Sequence, residues 1–195
     1  MKAKPLIKLS NLPLRIRHIL NGLVIASSLV LCLLLLPVRL PGMVLLGISP
    51  NWLLIWLVAW SIKRKPLHGA IAGLALGWIQ DGMTSPHPSH AISLMIVGLV
   101  TARIQKQRFI QEDFISVALM VFGMTILAET VTAIQYIFDS NIINADRFAS
   151  RTVSEIWTDY QRVTLASAIV SSLWAPVLYY PLNRWWQQIK VLEQA

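Results

Sequence analysis

Long uncharged apolar runs, separated by short basic or turn-rich segments, dominate this chain. Twenty-one residues without a formal charge lie between Arg17 and Arg39, 23 between Arg39 and Lys63, and 21 between Arg162 and Arg184. From Pro66 to Ala102 the only charge is Asp81, and from Phe114 to Phe138 it is Glu129. A helix crossing hydrocarbon needs about 20 apolar residues. The stretch from Pro66 to Ala102 also holds the turn cluster Asp81-Gly82-Met83-Thr84-Ser85-Pro86-His87-Pro88. Proline and glycine at that density break a helix, so it reads as two spans. The pattern predicts an all-α membrane protein with six transmembrane helices, near 19–37, 43–62, 67–83, 89–102, 114–138 and 163–183. A basic segment (1–18) precedes this domain (19–183), and a short tail (184–195) follows it.

Two spans need a closer reading. Ser49-Pro50 suits a helix start, with Ser as N-cap and Pro at the first position. The second helix is therefore expected to run from Pro50 to Ile62, with 42–48 a broken half-helix or re-entrant approach covered by protein. The first apolar run is followed by Pro37-Val38-Arg39-Leu40-Pro41 and not by a small-residue cleavage site. It reads as an uncleaved span. The long loop 139–162 carries Thr152-Val153-Ser154-Glu155, a capping-box pattern. A helix is expected to start near Thr152 and to lie on the interface or run into the sixth span, as an interfacial anchor or, alternatively, a docking surface for a partner outside.

Composition agrees with the pattern. Of the 195 residues, 55% are hydrophobic and only 13% charged, with a mean hydropathy of +0.59. A soluble domain carries about twice that charge. The net charge of +8 does not point to nucleic acid, because of where the charges lie. With six spans and both termini cytoplasmic, inside segments hold thirteen of the 17 basic residues, and outside segments hold Arg39, Arg147, Arg151 and Arg162. The positive-inside rule favours that orientation, and the basic rim is expected to meet anionic lipid headgroups. One cysteine, Cys32, excludes an internal disulfide.

Candidate sites are few. Gly69, Gly73 and Gly77 recur every four residues, and the stripe continues to Asp81. Small residues at this spacing let a second backbone approach closely, from this chain or from a partner. Asp81 is expected to cap a helix or pair with a neighbour; a ligand or proton site is the alternative. Thr125, Glu129, Thr132 and Tyr136 form a polar seam on one face of the fifth span. Thr164, Ser167, Ser171 and Ala175 make a small, polar face on the sixth, whose hydroxyls could bond the Glu129 carboxyl. Trp52, Trp56 and Trp60 share one face, suited to lipid or to packing, with a substrate pocket as the weaker alternative. Enzyme signatures are weak. Gly47-Ile48-Ser49-Pro50 is only superficially like an intramembrane serine protease site. Asp81, His87 and His90 do not have the spacing of a recognised metal site, and no phosphate-binding Gly-rich loop is present. No cofactor or metal is expected.

The ordered set of pieces carries a resemblance. Pro50-Asn51-Trp52-Leu53-Leu54 is followed by a basic turn with Pro66, the span Gly69-Ala70-Ile71-Ala72-Gly73-Leu74-Ala75-Leu76-Gly77, and Asp81-Gly82. Ser89-His90-Ala91 then opens a span that closes on Thr101-Ala102-Arg103. This resembles the MreD family of bacterial rod shape-determining membrane proteins, chiefly over 50–103. Family members often show Pro-Asp where this chain has Pro50-Asn51. The resemblance marks Pro50, Asn51, Trp52 and His90 as an outer-face motif. It implies a non-enzymatic inner-membrane scaffold acting with an MreC-like bitopic protein, an MreB-like actin homologue, a RodA-type glycosyltransferase and an elongation transpeptidase. The family's fold also resembles the substrate-binding subunits of energy-coupling-factor vitamin transporters, so the competing expectation is a membrane subunit that binds a small molecule.

Overall fold

A computed structural model describes residues 13–39, 42–45, 47–84, 89–106, 114–143 and 153–193. Among them are six helices and no strand: α1 (Leu14–Leu35), α2 (Trp52–Ser61), α3 (Pro66–Met83), α4 (His90–Lys106), α5 (Phe114–Ile143) and α6 (Val153–Glu193). Three stretches are long and apolar enough to cross a membrane: Arg15–Leu35, Phe114–Phe138 and Tyr160–Ile189.

The shortest helix organises the rest. Every residue of α2 from Trp52 to Ala59 is buried, and α2 packs against all five other helices. A helix apolar all round is stable only when it is surrounded, which is how Trp-Leu-Leu-Ile-Trp-Leu-Val-Ala is accommodated. Leu53, Leu54, Leu57 and Val58 are fully enclosed at the centre, with Leu94 and Val97 of α4 and Val121 of α5. At ten residues α2 rises about 15 Å, roughly half the hydrocarbon thickness. The expected span 43–62 is therefore corrected to a short buried helix.

Its start also differs from expectation. Asn51, not Ser49, is the N-cap: its Oδ1 accepts from Leu54 N at 3.2 Å. Pro50 lies before the cap. Upstream, the described residues are not a half-helix. Leu45 and Ile48 exchange backbone hydrogen bonds of 3.0 and 2.9 Å across a tight turn, with Gly47 at φ 83°. A left-handed conformation favours glycine at that position.

Helices elsewhere overrun their apolar runs. α1 begins at Leu14, inside the basic segment expected to end at 18. α5 continues to Ile143 and α6 begins at Val153, so the expected loop 139–162 is shorter than its charges implied. α6 also carries on through the expected tail to Glu193, with Pro176 and Pro181 inside it. Prolines are tolerated in helices of this kind because neighbouring groups can satisfy the freed carbonyls. Thr152, His87, and the loop arginines Arg147 and Arg151 lie outside the described residues.

Candidate functional site

The glycine stripe is a close-packed seam with α4. A Cβ on Gly69 would collide with the Gly98 carbonyl, one on Gly73 with the Leu94 carbonyl, and one on Gly77 with the Ala91 backbone. Gly98 is equally constrained by Gly69. Small residues at four-residue spacing thus bring two backbones into contact. The approaching helix belongs to the same chain, so the stripe is not an open docking face for another protein.

The seam ends on Asp81. One carboxylate oxygen accepts from the Ser89 hydroxyl at 2.8 Å. The other accepts from the His90 backbone N–H at 2.7 Å and lies 2.8 Å from His90 Nδ1. Ser89 Oγ in turn accepts from Ala91 N at 3.2 Å. The first turn of α4 is therefore capped by Ser89 and by a carboxylate from the neighbouring helix. Both satisfy N–H groups left open at a helix start, and the negative charge sits at the positive end of the helix dipole.

The helix that carries this cap, α4, also packs against α5 and its polar seam. Glu129 lines a cavity of about 410 Å³ between α5 and α6, with Thr130, Trp157, Tyr160, Gln161 and Thr164 among its walls. Tyr136 of α5 and Tyr160 of α6 lie with their ring centroids 6.1 Å apart.

Of the α6 hydroxyls expected near Glu129, that of Thr164 lines the same cavity, while the threonines of the α5 seam bond within their own helix. Thr125 donates to Val121 O at 2.8 Å and Thr132 to Ala128 O at 3.0 Å, both within their own helix. Such back-bonding keeps a hydroxyl satisfied in an apolar helix. Ser171 is likewise engaged, accepting from Asn51 N at 3.0 Å. That bond joins α6 to the start of α2, so Asn51 serves both its own helix and the packing of α6.

The tryptophans face inward. Trp52 and Trp56 are each only 4% exposed. Trp52 meets Trp174 of α6 edge to face, with centroids 5.8 Å apart, a favoured quadrupolar arrangement. Trp56 donates its indole N–H to Ser28 Oγ of α1 at 2.9 Å and stacks on Trp60. Trp60 sits beneath the Arg64 guanidinium, 5.1 Å from its centroid. Of the expectations for this stripe, packing against the bundle is what the geometry shows for Trp52 and Trp56. The outer-face motif is thus split. Pro50 is buried, Asn51 caps α2, Trp52 braces α6, and His90 belongs to the Asp81 cap.

Among the described residues, no group of three or more His, Cys, Asp or Glu side chains is arranged to hold a metal ion. The site is a set of helix caps, inter-helix hydrogen bonds and aromatic braces holding an all-helical body together. Large apolar side chains remain exposed on α1, α3, α5 and α6, among them Leu23, Leu34, Trp78, Leu119 and Leu173. An apolar exterior around a polar-braced interior, with helices long enough to cross hydrocarbon, defines an integral membrane protein.

The family follows from the sequence pattern of the rod shape-determining protein MreD, which matches residues 16–185. The chain belongs to the MreD family, a family of rod-shape-related membrane proteins. No match was found among curated proteins or among solved structures.

Proposed function

We propose that this chain is a non-enzymatic scaffold of the cell-elongation machinery, multi-pass in the inner membrane with both termini cytoplasmic. In this reading it helps maintain rod shape by coupling an MreC-like bitopic protein and an MreB-like actin homologue to peptidoglycan synthases of the RodA and elongation-transpeptidase types.

The family match carries the reading, and the α5–α6 pair supports it. α5 runs five residues past its apolar stretch and α6 starts seven residues before its own. At 1.5 Å per residue, that helical pair projects about 7–10 Å beyond the apolar zone. Trp157, 43% exposed, stands on this projection. A projecting helical pair bearing an exposed aromatic suits contact with the extracytoplasmic part of a bitopic partner.

Orientation rests on charge. Lys63, Arg64 and Lys65 between α2 and α3, Arg103 near the end of α4, and Arg184 on α6 all lie at one end of the bundle, by the helix order. A C-terminal reporter should read as cytoplasmic; an external C-terminus would contradict the arrangement. For the function itself, depletion followed by microscopy is decisive. Rounded cells are expected. Normal shape combined with a vitamin requirement would sink the scaffold and favour a transporter subunit, with the cavity beside Glu129 as its binding site.

A further inference from the structure

A groove of about 640 Å³ lies between α1 and α6, with Trp52 of α2 at its floor. Along α1 it extends from Val24 to Leu35 and along α6 from Trp174 to Trp185. Each wall spans eleven residue steps, about 16 Å, or roughly half the ~30 Å hydrocarbon thickness. That is the depth of one leaflet, too short to seat a helix crossing the whole membrane. Its walls are open to the side: Leu31 is 54% and Val177 60% exposed.

The two ends differ in charge. At the Trp185 end stands the exposed Arg184, and Lys63 is tied to Asn183 beside it. Arg17 and Asn21 share the α1 face of Val24, seven and three residues further toward this end. Near the Leu35 end, Arg39 is the basic residue among those described. Two polar atoms at the basic end, Trp185 Nε1 and Asn21 Oδ1, are buried without a hydrogen-bond partner among the described residues. Buried polar atoms normally have one.

We propose that this groove holds one acyl chain of an anionic phospholipid from the leaflet at the basic end, its phosphate at Arg184. The inference rests on the chain being embedded in a membrane and not on its place in the elongation machinery.

The test uses the full chain in mild detergent, stripped of lipid and titrated with dioleoyl-phosphatidylglycerol or dioleoyl-phosphatidylcholine under native mass spectrometry. One phosphatidylglycerol per chain is expected to bind more tightly than phosphatidylcholine. Arg184→Gln should weaken phosphatidylglycerol roughly fivefold, the worth of one basic residue at a lipid surface, and leave phosphatidylcholine unchanged. Ser27→Phe, which fills the groove, should abolish both adducts. Equal binding of the two lipids would overturn the anionic assignment, and retention of lipid by Ser27→Phe would overturn the groove. A photo-crosslinking residue at position 177 decides independently of how Ser27→Phe folds. Lipid adducts are expected in cells, and a protein adduct there would overturn the proposal in favour of a partner helix.

Discussion

Replacing Gly73 by alanine tests the α3–α4 seam at its tightest point. The new Cβ would lie 2.6 Å from Leu94 C and 2.8 Å from Met95 N, where ordinary contact begins at 3.4 Å. The obstacle is backbone, with the Leu94 carbonyl oxygen closer still, and cannot swing aside, so the helices must part by roughly 1 Å. A gap of that size forfeits about a quarter to a half of each facing van der Waals contact, and overpacking a tight interface costs about 1–3 kcal/mol. Alanine also favours a helix over glycine by about 1 kcal/mol, which partly masks the loss. Gly123→Ala removes that ambiguity. Gly123 is exposed in α5, and its added Cβ would meet nothing within 4 Å. Both variants gain the same propensity, so their difference isolates the overpacking, about 1–3 kcal/mol. The assay is SDS-induced unfolding in mixed micelles, followed by tryptophan fluorescence. Gly73→Ala should unfold at lower SDS than wild type and Gly123→Ala at the same or higher. Equal midpoints for the two variants would refute the close seam.

Further predictions concern the caps and the α5 carboxyl. Asp81→Ala removes the acceptor shared by Ser89 and His90 and should cost about 1–2 kcal/mol in the same assay; a change below a few tenths would show that Ser89 alone caps α4. Asn51→Asp should be tolerated, because either side chain caps a helix, whereas Asn51→Ala should cost about 1 kcal/mol; equal losses would show that the Leu54 bond contributes little. Glu129→Gln should fold and support rod shape, since a scaffold asks that position for packing and hydrogen bonding only; folded protein in rounded cells would instead assign the carboxyl an ionised or proton-carrying role.

What was legible in the sequence depended on how local the cause was. The glycine stripe and the Pro-rich turn after Asp81 fix α3 and the start of α4 almost to the residue, because spacing and helix breakers act within a few positions, while α4 runs on four residues past its expected end to Lys106. Asp81 and His90 are nine apart across that turn, so their pairing was within reach of sequence reasoning. α2 was not. An uncharged run from Leu40 to Ile62 looks the same whether it is a span or a turn leading into a ten-residue core helix. Only the Asn51 cap and burial on all sides distinguish them. The overrun of α5 and α6 past their apolar stretches was masked by Asp139, Asp146 and Asp159, which a charge-based boundary treats as loop. The pairing of Tyr136 with Tyr160 depends on how α5 packs against α6, and no periodicity within either helix reports it.

Co-purification tests the central claim most directly. The chain, tagged at its C-terminus and extracted from membranes in mild detergent, should bring down an MreC-like bitopic protein, and substitution of the exposed Trp157 by Ala on the α5–α6 projection should weaken that recovery while the chain remains folded. Recovery of an ATP-hydrolysing transporter module in place of the bitopic protein would contradict the scaffold.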